Sequence, residues 1–134
     1  MDGVAVMRAL LLAHAPLTSL VPSASIVAGT IPLGVLPAIG IKEISRIETE
    51  TVSRGQTNVM VTARVQVTAY AGSYPAKKAL IQAAKLGPGA HTGIVAGVTV
   101  RSVLRDMVGP DMDDDDSQVF EQSRDFKVTY IEPN

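Results

Sequence analysis

From Val59 to Tyr70 the chain alternates: Val59, Val61, Ala63, Val65, Val67 and Ala69 fall on one parity, while Thr62, Arg64, Gln66, Thr68 and Tyr70 mostly fill the other. Side chains of a strand point to opposite faces in turn, so this pattern predicts a strand with one face in the core and the other wet. A sheet with one apolar face must be covered on that face, and the helical segments elsewhere in the chain are what can cover it.

Two such segments stand out. From Gly3 to Ala13, with Val4, Met7, Leu10, Leu11 and His14 at helical spacing, a first helix is expected, capped by Asp2 and stopped by Pro16. Leu17 to Leu20 suits a short further turn. A second helix is expected from Pro75 to Leu86, capped by Ser73 and ended before Gly87-Pro88. Ala76, Ala79, Leu80, Ala83 and Ala84 would form its packed face, leaving Lys77, Lys78, Gln82 and Lys85 wet.

The remaining segments read as strands and connections. Pro22 to Pro37 holds three prolines, Gly29 and Gly34, which suits an extended arm better than a regular strand. Its apolar residues, Ile26, Val27, Ile31, Leu33, Val35 and Leu36, need cover, and a subunit interface is one place to find it. Ile39 and Ile41 predict a strand running toward Ile47, followed by a polar turn from Glu48 to Gln56 that includes Arg54-Gly55. Gly93 to Val108 predicts another strand, with Val98, Val100, Ser102 and Leu104 on one face. After a loop from Gly109 to Ser117, Val119 to Ile131 predicts a last strand with Phe120, Phe126, Val128 and Tyr130 on one parity. The expected class is therefore α+β: a mainly antiparallel sheet with two helices on one face and an extended arm, in one domain spanning residues 1–134.

Composition narrows function by exclusion. There is no Cys, so there is no disulfide framework, thiol nucleophile or thiolate zinc site. The apolar run from Val4 to Leu12 follows only Asp2 and is interrupted by Arg8, unlike an export signal, and no apolar run of roughly 18 residues could span a membrane. A soluble protein made in the cytoplasm is expected. Net charge is −1 with scattered basic residues, which offers no footprint for gripping a nucleic-acid backbone.

The motifs that could carry chemistry each have a plainer reading. Asp111, Asp113, Asp114, Asp115 and Asp116 could supply hard oxygen ligands for calcium, but the glycine and glutamate of an EF-hand are missing at their positions, and a solvated acidic turn explains the run as well. Gly87 to Gly93 is glycine-rich but follows a helix and lacks the Lys-Ser or Lys-Thr of a phosphate loop. His14 and His91 have no evident partner, and no serine sits in a nucleophile elbow. No enzyme and no cofactor are expected. Arg64, Gln66, Thr68 and Tyr70 could form a recognition surface together with Arg101 and Lys127, or simply the wet face of a sheet.

Three stretches resemble the tail-terminator, or tail-completion, proteins of long-tailed bacteriophages: the opening Val4–Val21 (VAVMRALLLAHAPLTSLV) with the proline-rich arm after it, the centre Ala63–Leu80 (ARVQVTAYAGSYPAKKAL), and the final strand Ser123–Val128 (SRDFKV) preceded by an acidic loop. The resemblance spans almost the whole chain. It implies a virion protein of the tail or neck, assembled in the host bacterial cytoplasm. It further implies a homo-oligomeric ring, of six copies, that ends the tail tube, contacts the tube protein and docks the head connector while DNA passes through unbound. On that reading part of Asp111 to Asp116 faces the bore or one rim, and Ile31, Leu33, Val35, Leu36, Arg64 and Gln66 are interaction residues. A head-completion or tube protein, and a calcium-binding module on the aspartates, are the competing readings.

Overall fold

The computed structural model describes residues 2–32, 34–50, 55–89, 91–114 and 116–133; Leu33, Asp115 and Thr51 to Arg54 of the expected polar turn lie outside the described residues. The alternating segment forms β3 (Asn58–Ala71), at the centre of a six-stranded sheet in the order β1-β2-β3-β6-β5-β4. Its neighbours are β2 (Ala38–Thr49) and β6 (Phe120–Pro133), followed outward by β5 (Val98–Val108) and β4 (Gly93–Val95), all antiparallel. The other edge is β1 (Ile26–Ala28), parallel to β2. An α+β fold with a mainly antiparallel sheet is what the parity of β3 requires.

All six odd-numbered residues from Val59 to Ala69 are buried. Over them lies α1 (Gly3–Leu12), whose Asp2 side chain accepts a hydrogen bond from the Ala5 N–H at 3.0 Å as the N-cap. Val6, Met7 and Leu11 fill the core beneath it. At Gly3 the helix touches the sheet so closely that a Cβ would sit 3.0 Å from Val65 Cγ2 and 3.2 Å from Ala63 Cβ. Pro16 does not stop this helix, which ends at Leu12; it opens a short second one, α2 (Ala15–Thr18), in the first-turn position that suits proline. His14 sits at the junction as the residue preceding α2.

The next helix, α3 (Tyr74–Ala83), covers the same face over β3 and β6 and is capped by Ser73, whose hydroxyl accepts from the Ala76 N–H. It ends three residues before the expected Leu86, which adopts a left-handed φ of 62°. Its packed face also differs from expectation. Lys77, Leu80, Ile81 and Ala84 are buried, at the i, i+3, i+4, i+7 spacing of one helical stripe, whereas Ala76 and Ala79 are exposed. Lys77 was expected to stay wet, yet its side chain is 0% exposed.

The stretch from Gly93 to Val108 is a hairpin rather than one strand. Ala96 and Gly97, with φ of 51° and 77°, form the two-residue turn with positive φ at both centres that matches strand twist. In β5 the register then shifts between Val100 and Ser102, which turns Val103 into the core and leaves Leu104 exposed, reversing the expected parity. A similar shift in β2 between Glu43 and Ser45 follows its buried run, which ends at Ile41. Part of the arm is also more regular than expected: Ile26 pairs with Ile39 through β1 and is fully buried.

Because α1 rests on Val65 and Ala63 through Gly3, Gly3→Val is expected to destabilise the fold by about 1–3 kcal/mol, as overpacking does. Urea unfolding followed by circular dichroism would show it as a lowered midpoint with unchanged slope.

Candidate assembly interface

The aspartate segment does not project freely. Its first half folds back over the sheet edge onto α3, where the Lys77 ammonium donates to Asp111 Oδ1 at 2.8 Å and to Asp113 Oδ1 at 2.7 Å. Lys78 donates to the same Asp111 oxygen at 2.7 Å and to Gln122 Oε1 at 2.9 Å, while the Gln122 amide donates to the Gly109 carbonyl at 2.8 Å. Both ammonium groups stand over the Tyr74 ring, 4.4 and 5.0 Å from its centre. Burial alone would lower the Lys77 pKa, but the two carboxylates outweigh it and the net shift is upward. The Asp111 carboxyl, held by hydrogen bonds from Lys77 and Lys78, falls from its ordinary 3.8 to about 2.

The second half of the segment is closed on itself. Asp114 accepts from the Asp116 N–H at 3.0 Å and forms an isolated bridge with Val119. Its pKa is lowered by the Ser117 hydroxyl and by the N–H groups of Asp116 and Ser117. Asp114 and Asp116 remain exposed. The reading of the whole run as one solvated turn therefore splits in two: Asp111 and Asp113 are anchors, and Asp114 and Asp116 are display.

The face of the sheet away from the helices is uncovered over much of its area. Arg64 Nε and Nη2 both donate to Asp125 Oδ2, at 2.8 and 2.5 Å, and Asp106 lies 3.7 Å from Arg64 Nε. The Asp125 hydrogen bond is the main cause of the raised Arg64 pKa. Thr62 with Thr129, at 3.1 Å, and Thr68 with Ser123, at 2.8 Å, add two further cross-strand hydroxyl pairs. Gln66 and Arg64 border a shallow cavity of about 220 Å³ closed by Met107, Pro110 and Met112. The structure thus brings Arg64 and Gln66 next to the base of the acidic loop. Lys127 is the direct neighbour of Arg64 on β6, as the polar-face reading requires, but Arg101 falls in the β5 register shift and pairs with no β6 residue.

The arm residues lie elsewhere. Ile31 folds over β2 at Gly40, where a Cβ would meet Ile31 Cγ2 and Tyr70 Cε2 at 3.5 Å and the Gly29 carbonyl at 3.2 Å. Ile31 and Val35 are half-buried within the chain, and Leu36 is exposed. Leu36 and Pro37 line an apolar groove of about 240 Å³ with Leu20, Ala76, Ala79 and Leu80. The small-residue face assigned to the α3 core is thus partly a groove wall. Sequence reasoning missed Lys77, Asp125 and Arg124. For Lys77 the signal was present, since it occupies the same helical stripe as Leu80 and Ile81.

No family model matches the sequence and no curated protein matches it. Among solved structures, the fold is similar to a chain in "Virion of native gene transfer agent (GTA) particle", with 12% identity, a TM-score of 0.61, and coverage of 98% of this chain and 100% of that one.

Two outcomes follow from the Lys77 clasp. Lys77→Ala is expected to cost about 1–3 kcal/mol, the range for a lost charge-assisted hydrogen bond, read from urea unfolding at neutral pH. Since the Asp111 pKa is depressed, to about 2, its contribution is complete above pH 4 and fades as pH falls toward 2. Protection of the loop amides from exchange, measured against their intrinsic rates at each pH, should fall across that window in the wild type and not in Asp111→Asn.

Proposed function

We propose that this chain is a structural protein of a phage-like virion, forming a ring that caps the head-proximal end of a tail tube, stops tube polymerisation and offers the docking face for the head connector. The observation that carries this reading is the fold likeness, across the length of both chains, to a protein of the gene transfer agent virion. Two features of the chain support it. The sheet leaves one face largely open, with Ile47, Met60, Ile94 and Leu104 exposed, and such surface is characteristic of assembly interfaces. Its arm leaves Leu36 beside an open groove.

In this reading the partners are copies of the same chain, the tube protein and the connector. Arg64 and Gln66, beside the loop base, belong to an inter-subunit or partner face. Asp114 and Asp116 line the bore or a rim, where negative charge keeps phosphates from adhering as DNA passes. Its place is the tail or neck, assembled in the host cytoplasm. The calcium alternative is weakened because Lys77 already occupies Asp111 and Asp113.

Purified protein is expected to form closed rings by electron microscopy, with a solution mass that is an integer multiple of the 14.1 kDa chain. Particles made without it should carry overlong tails of uneven length. Tails of normal length left unjoined to heads would instead assign it to the connector.

A further inference from the structure

Arg124 is the one buried charge that the subunit leaves unanswered among the described residues. It stands on β6 opposite Val67, beneath the end of α3, and is 8% exposed; its Nε is buried with no hydrogen-bond partner. A desolvated guanidinium without a counter-ion is expensive, and proteins rarely keep one without a use. Its neighbourhood makes matters worse. Burial, and then the charge of nearby Arg105, push the Arg124 pKa below its ordinary value.

The group faces a cavity of about 240 Å³ at the sheet edge, where the β5 register shift between Arg105 and Val108 opens the ladder. Gln82, Lys85 and Arg105 line it with Arg124. Asp106 and Asp125 also line it, but both carboxylates are engaged by Arg64 on the opposite face. Arg105 donates to the carbonyls of Lys85 and Leu86 at 3.1 and 3.3 Å, so its guanidinium is fixed in place without being neutralised. The cavity thus offers cations and an amide, and it calls for an oxyanion.

The opposite edge of the same sheet holds a matching group. Only Ile39 to Ile41 of β2 pair with β1, so Lys42 to Thr49 have a free outer edge among the described residues, as Arg101 to Val108 of β5 have beyond β4. On the β2 edge Arg46 is engaged by Glu132 and Glu48. Glu43, exposed at the β2 register shift, feels the charge of Arg46 but makes no direct ion pair among the described residues, so its carboxylate stays available. Two complementary patches at different places on one molecule join copies head to tail, the arrangement that closes into rings.

We propose that the Arg124 cavity is an oxyanion site whose occupant in the assembled particle is the Glu43 carboxylate of a second copy, delivered by the free edge of β2. This deepens the ring reading and rests on it. Removing one partner of a desolvated charge pair weakens association strongly, so Arg124→Gln and Glu43→Gln should each raise the concentration for half-assembly about tenfold or more. Mass photometry and light scattering of the full chain give that number.

The isolated Arg124→Gln subunit should melt no lower than wild type, because an unpaired buried charge has gone; a merely structural arginine would lower melting and assembly together. Inorganic phosphate should raise the melting temperature of wild-type and Glu43→Gln subunits but not of Arg124→Gln. Glu43 is exposed, so its variant tests the contact even where Arg124→Gln folds poorly. Normal assembly of Glu43→Gln, with the phosphate response intact, would assign the cavity to a free oxyanion and overturn the second copy as occupant. Normal assembly of both variants overturns the site and leaves the ring standing, whereas a wild type that stays monomeric at every concentration overturns both.

Discussion

Everything in this fold depends on the two-sidedness of β3. Its odd residues are all small or β-branched and lie against helices; its even residues, Met60 apart, carry hydroxyls, amides and a guanidinium. Because Val and Ala project little, α1 can approach until Gly3 rests on the side chains of Val65 and Ala63, and the core becomes thin and dense rather than built around large rings. The uncovered side follows from the same alternation. Helices that fill one face leave the hydroxyl pairs and the Arg64–Asp125 contact to hold the other together while it remains available to a neighbour.

That arrangement sorts the molecule by role. The helical side supplies stability through buried aliphatic surface. The open side and the free lengths of β2 and β5 carry the exposed apolar residues and unengaged charges. Small domains ordinarily blunt their sheet edges with short strands, charges or bulges. Here β1 and β4 are three residues each, and both β2 and β5 bulge where they run past those short neighbours. The edges are managed against indiscriminate pairing, and what remains exposed is selective.

Much of the fold was legible in the sequence because it rests on periodicity. The parity of Val59 to Ala69, the Asp2 and Ser73 caps and the alternating end of β6 each express one local rule. The misreadings share a cause: a tertiary contact overrode a local pattern. Register shifts at Val100 and at Glu43 reverse parity without any glycine to mark them. The Ala96-Gly97 turn hides because alanine is uncommon at positive φ. Lys77 read as wet because a lysine on a helix usually is, and only the aspartates more than thirty residues later allow it to be buried. The candidate site was legible only in part. The acidic run and Arg64 stood out as unusual residues, whereas Arg124 was passed over, although it shares the parity of Phe126, Val128 and Tyr130 that the core takes up.

The clasp between Lys77 and the aspartate loop has a consequence for how the surface responds to its surroundings. Ion pairs buried from water are weakly screened by dissolved salt, while exposed charges lose their reach over about 8–10 Å at physiological ionic strength. Asp111 and Asp113 are held by a lysine that solvent does not touch, whereas Asp114 and Asp116 face solvent directly. A single acidic segment thus contains a pin set on a buried ammonium, which salt weakens less, and a negative tip whose range salinity sets. The tip keeps its anchorage over a wider range of media than it keeps its electrical visibility to whatever passes it.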